Sequence, residues 1–188
     1  MLKKGAFTYS AKSEDGVKSE YNELRAPDFK SIEDLEINKS VLKDLKIGIV
    51  VADWNREITE ALLDSAVMTL SSLNVGDKNI TVMHVPGSFE LLHGAKLLRE
   101  NLKPDVIICI GCLIEGETEH FNVISNAVSS GIRDLNLQSD TPVIFGVLTT
   151  KTFQQAKDRT TGEHSDAGVD FAKTAVSMGY LRKEAASK

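Results

Sequence analysis

"DVIICIGCLIEGETEHF", Asp105 to Phe121, carries an apolar run straight into three glutamates, a threonine and a histidine. Its first part is rich in Val and Ile with no polar face, the composition of a strand buried on both sides in a parallel sheet. Its end resumes as "HFNVISNAVSSGIRDL", which has helical spacing. The segment is therefore read as a strand, a polar turn and the first residues of a helix. The chain's only two cysteines, Cys109 and Cys112, stand inside the strand in C-x-x-C spacing. A redox pair of that spacing opens a helix, whereas strand residues three apart point to opposite faces. Two free, buried thiols are expected.

Working outward, three more runs have the same character: "IGIVVAD", "ITVMHV" and "PVIFGVLTT". Each is read as a parallel strand, apolar on both faces. Between them "REITEALLDSAVMTLSSLN" and "SFELLHGAKLLREN" repeat apolar residues at helical steps, with Ile58, Leu62, Val67 and Leu70 on one side of the first. After the last strand come "TFQQAKDRT" and "VDFAKTAVSMGYLRKEAA", separated by "TGEHSDAG". Strand and helix alternate through short links, which predicts an α/β three-layer sandwich around a four-stranded parallel sheet, joined by right-handed crossovers. Residues 1–45 differ: "KSEDGVKSEYNELRAPDFKSIEDLEINKS" is charge-rich without a sustained apolar period. They are read as an extension, extended or weakly ordered, ahead of a domain spanning 46–188.

The 188 residues suffice for one domain, and 26% charged with 41% hydrophobic residues is ordinary for a globular protein. A net charge of −5 offers no basic face for nucleic acid. No run approaches the roughly 18 apolar residues of a membrane span. The first residues, "MLKKGAFTYSAKSEDG", contain no apolar core of a secretory signal, so the cytoplasm is the expected compartment.

In open parallel sheets, ligands bind beyond the carboxyl ends of the strands. Those ends read "ADWN", "VPGSFE", "IEGETEH" and "LTTKT". In "GETEH", Gly116 allows close backbone approach, and Thr118 with the next helix's first N–H groups could receive a phosphate; helix capping, with Glu117 against the dipole, is the ordinary alternative. His120 is either an acid/base group or a surface histidine. Glu117 and His120 form E-x-x-H, the spacing of carboxylate-bridged metal bundles, but the second copy such sites need does not occur, so no metal is expected. Trp54 could stack on a planar ligand or pack against a neighbour. Ser88 could cap a helix or, with Glu90, meet a polar ligand. Arg159 suits bidentate phosphate contact, or is a solvated helix residue. Dinucleotide, Walker and nucleophile motifs do not occur.

The order "DWN", "VPGSFEL", "IGCLIEGETEHF", "PVIFGVLTT", "QQAKDR", from about Lys46 to Met178, resembles the lumazine synthase family. The resemblance implies a flavodoxin-like topology. It also implies condensation of 5-amino-6-ribitylaminouracil with 3,4-dihydroxy-2-butanone 4-phosphate to 6,7-dimethyl-8-ribityllumazine, without cofactor. It assigns Trp54 to stacking on the pyrimidine, and Ser88, Phe89 and Glu90 to the ribityl chain and adjoining ring atoms. Backbone groups of Cys112, Leu113 and Ile114 fall to the pyrimidine edge, Glu117 and Thr118 to the phosphate-bearing substrate, Arg159 to its phosphate and His120 to proton transfer. Phe145 reaches a neighbouring subunit's pocket, so the resemblance implies a homopentamer. Twelve pentamers can close into a sixty-subunit shell, and the loop "RTTGEHSDAG" carries no insertion against it. Residues just before Lys46 could add a strand to a neighbour's sheet. Glu115, Glu163 and Ala167 depart from the family pattern, standing where basic residues are usual. The departure raises a second reading, a divergent member that assembles or binds a pteridine or flavin with weak catalysis. A flavin-carrying electron-transfer protein is a third.

Overall fold

The computed structural model describes residues 8–12, 18–22, 39–160 and 166–187. Ahead of the main body, β1 (Thr8–Lys12) and β2 (Lys18–Asn22) pair antiparallel with each other, Thr8 opposite Asn22. Two paired strands thus occur in a segment read as extended or weakly ordered. "TYSAK" and "KSEYN" are short and contain no Val or Ile run to signal them.

The body begins with α1 (Lys39–Lys43) and continues through β3 (Ile47–Ala52), α2 (Arg56–Ser72), β4 (Ile80–Val85), α3 (Leu91–Leu102), β5 (Val106–Ile114), α4 (His120–Leu137), β6 (Val143–Thr150), α5 (Phe153–Lys157) and α6 (Ala167–Ala186). Leu42 and Leu45 are fully buried in the main core, so the packed body begins within α1, ahead of Lys46.

The four main strands form one parallel sheet in the order β4-β3-β5-β6. Alternation along each strand divides the core in two. Ile47, Ile49 and Val51 with Ile108, Ile110 and Cys112 face Leu62 and Leu70 of α2 and Ala172 and Val176 of α6. Val50, Ala52, Ile107, Cys109, Val143 and Val147 face α3 and α4. The cysteines therefore lie on opposite faces, both free and buried. Burial pushes the Cys109 thiol up to about 12 and that of Cys112 to about 11, because an apolar surround disfavours the thiolate.

One strand differs from its reading. "ITVMHV" is an edge strand, with Thr81, Val82 and His84 exposed rather than buried. Only its Met83 and Val85 pack on the α3–α4 core. Val and Ile are as suited to a half-covered edge as to a sheet centre, so composition alone does not separate the two. No described helix is long and apolar enough to cross a membrane.

Candidate functional site

β3 lies between β4 and β5, and the connections leaving β3 and β5 run to opposite faces through α2 and α4. Their carboxyl ends therefore diverge and open a crevice at the topological switch point. A cleft of about 590 Å³ sits there, lined by Trp54 and Asn55 after β3, Pro86 to Glu90 after β4, and Cys112, Gly116, Thr118 and His120 of β5 and its turn.

Pairing explains why backbone is available in this cleft. β5 pairs with β3 only as far as Val51↔Ile110, but with β6 to Ile114↔Thr150. The amides of Ile107 and Glu115 donate towards β6, to the Pro142 and Thr150 carbonyls. By alternation, the polar groups of Cys112 and Ile114 point towards the cleft instead. The Cys112 carbonyl accepts from the Asn55 side-chain amide at 2.9 Å. Asn55 has φ 60°, a left-handed conformation that Asn tolerates better than most residues. Sequence reading did not single out Asn55. An asparagine directly after a buried strand was the available signal.

Ser88 opens a single 3-10 turn, Ser88–Glu90, and caps no helix. It is 5% exposed, and its hydroxyl is buried without a hydrogen-bond partner in the protein. The hydroxyl lies over Gly111, where an added Cβ would stand 2.7 Å from Ser88 Oγ. A buried hydroxyl left unpaired at a cleft wall is costly unless a ligand completes it. Trp54 is 71% exposed and Phe89 51%, so two aromatic faces are presented to the opening rather than packed away.

β5 delivers the polar turn to this cleft. Thr118 Oγ1 accepts from the His120 amide at 3.4 Å, and His120 is the exposed first residue of the 18-residue α4. Leu113, Ile114, Gly116, Phe121 and Ile124 complete the wall. Glu117 is exposed and lines neither this cleft nor the next.

Phe145 and Arg159 are not in this cleft. They line a second one of about 650 Å³ with Glu115, Lys151 and Gln155. Phe121 at the head of α4 borders both clefts. Arg159 Nη1 donates to the Gln155 carbonyl at 2.8 Å. Ala167 is buried at the start of α6, and Glu163 lies outside the described residues. The Glu117–His120 pair gathers no further ligand; among described residues, Asp53, Glu60 and His84 bring ligand atoms within 4.8 Å of one another. They stand at the sheet's edge, where Arg56 holds Glu60 at 3.2 Å and His84 meets Asp53 at 3.1 Å.

Fold and cleft together define an α/β protein with an open crevice at the switch point of a parallel sheet. The chain matches the 6,7-dimethyl-8-ribityllumazine synthase family over residues 44–183. The 6,7-dimethyl-8-ribityllumazine synthase of Flavobacterium psychrophilum is 47% identical over 143 residues, 76% of this chain and 76% of its own. The protein of that name from Parabacteroides distasonis is 45% identical over 84% of this chain and 94% of its own. That from Bacteroides fragilis is 48% identical over 71% and 94%. The chain belongs to the 6,7-dimethyl-8-ribityllumazine synthase family.

Proposed function

We propose that the protein condenses 5-amino-6-ribitylaminouracil with 3,4-dihydroxy-2-butanone 4-phosphate to 6,7-dimethyl-8-ribityllumazine, releasing phosphate and water. The observation that carries this reading is the first cleft, which gathers Trp54, Ser88, Phe89, Glu90, Cys112, Leu113, Ile114, Thr118 and His120 at one strand edge. Trp54 supplies an aromatic face for the pyrimidine. Polar groups of Cys112 and Ile114 meet its edge, and the unpaired Ser88 hydroxyl and the Glu90 carboxylate take the ribityl chain.

The chemistry is imine formation between the uracil's amine and the butanone's carbonyl, loss of phosphate, and ring closure. Holding the two substrates together supplies the larger share of what such a condensation needs, at best on the order of 7–11 kcal/mol. His120, at the rim beside Thr118, is the proton shuttle. None of these steps needs a redox partner.

Phe145 and Arg159 enter through a neighbour. Both line the second cleft, on the other side of the head of α4. Placing one chain's second cleft against the next chain's first completes a site with Arg159 on the phosphate. Repeated head-to-tail, that contact closes into a ring, which we take to be a pentamer in the cytoplasm, with a sixty-subunit shell as its larger form. Light scattering separates a megadalton shell from a species of five chains.

Glu115 in the second cleft favours a second reading, a weakly catalytic family member, because a carboxylate beside the phosphate repels it. Mixing the substrates with the purified protein decides between them. Lumazine absorbance rising well above the uncatalysed rate supports the synthase, and a rate equal to the blank overturns it.

A further inference from the structure

Glu115, Lys151 and Arg159 line the second cleft together. The sheet explains why. β5 and β6 stay paired to Ile114↔Thr150, and the Glu115 amide still donates to the Thr150 carbonyl at 2.8 Å. Glu115 and Lys151 therefore leave the ends of adjacent strands side by side, on backbones about 4.8 Å apart. Alternation along β6 puts Val143 and Val147 in the α3–α4 core. Phe145 and Thr149 share that face and turn to the cleft beside α4, which Lys151 reaches just past the strand's end.

Gln155 ties the Lys151 backbone to the Arg159 guanidinium. Its side-chain carbonyl accepts from the Lys151 amide at 2.9 Å, and its backbone carbonyl accepts from Arg159 Nη1 at 2.8 Å. Lys151 and Arg159 both line the cleft. With one carboxylate against two cations the cleft carries a charge of +1, and without Lys151 it carries none. A phosphate ester approaching Arg159 alone would meet Glu115 uncompensated.

We propose that Lys151 is a phosphate-binding residue of this cleft, offsetting Glu115 across the strand ends and sharing the phosphate with Arg159. The identity of the phosphate ester rests on the function proposed above; the anion subsite itself does not.

The test uses the full-length assembled protein, with inorganic phosphate binding followed by calorimetry and KM measured for each substrate. Lys151→Gln should weaken phosphate about tenfold and raise KM for the butanone phosphate by a similar factor, with KM for ribitylaminouracil unchanged within about twofold. Lys151→Arg should restore most of the loss. Glu115→Gln combined with Lys151→Gln should do so as well, since it returns the cleft to +1. Phosphate binding that is undetectable in the unsubstituted protein, or unaltered by Lys151→Gln, overturns the proposal. Lys151-dependent phosphate binding without lumazine formation upholds the subsite and removes the synthase reading. Turnover with Lys151-independent phosphate binding does the reverse.

Discussion

Ser88 links residue chemistry to function most directly, because its buried hydroxyl has no partner in the protein. Removing a hydroxyl that bonds to nothing costs the fold little, whereas removing a ligand's partner loses about 1 kcal/mol. Ser88→Ala should leave the melting temperature unchanged or slightly raised while raising KM for ribitylaminouracil roughly fivefold to tenfold. A lower melting temperature with an unaltered KM would assign the hydroxyl a structural role instead. The placement of Trp54, Ser88 and His120 at one cleft was legible because each stands in a short string just past a strand. Asn55 was not, since its contribution depends on a left-handed backbone and a carbonyl 57 residues away.

At the scale of elements, helices and sheet approach closely where a side chain is missing. A Cβ at Gly168, at the start of α6, would lie 2.5 Å from the Leu62 backbone carbonyl of α2. Backbone cannot swing aside, so Gly168→Ala should cost about 1–3 kcal/mol in denaturant unfolding. At Gly131 the obstacle, 2.4 Å away, is the end of the Leu92 side chain. That chain can rotate, and a helix-interior Gly→Ala gains about 1 kcal/mol, so Gly131→Ala should be nearly neutral. Equal losses at the two sites would contradict this account. β5 carries a further prediction. With the thiols of Cys109 and Cys112 pushed up to about 12 and 11, neither should react with a water-soluble disulfide reagent at pH 8 until the protein unfolds. Their raised values add stability that is fully present below the ordinary thiol range and is lost as pH rises through it towards the folded values. All four strands of the main sheet were legible from composition and length. The exposure of β4 was not, because strand order, and hence which strands are the edges, is set by packing between distant segments. The β1–β2 pair escaped for a related reason, its five-residue strands carrying no Val or Ile run to register.

For the whole molecule, the proposal of widest reach is a catalytic site shared by two chains. The separation of His120 and Arg159 into two clefts that meet at Phe121 supports it. His120→Ala should lower kcat by about 10²-fold, the low end for a proton-transfer group where proximity carries the larger share. Arg159→Ala should chiefly raise KM for the butanone phosphate. The decisive measurement is lumazine formation by oligomers assembled from a mixture of His120→Ala and Arg159→Ala chains. If each site takes its first cleft from one chain and its second from the neighbour, about a quarter of the sites in a random mixed ring are intact. Activity should then recover to roughly that fraction of the unsubstituted protein. Activity no higher than that of the two variants assembled separately would mean that each chain carries its own complete site, contradicting the account.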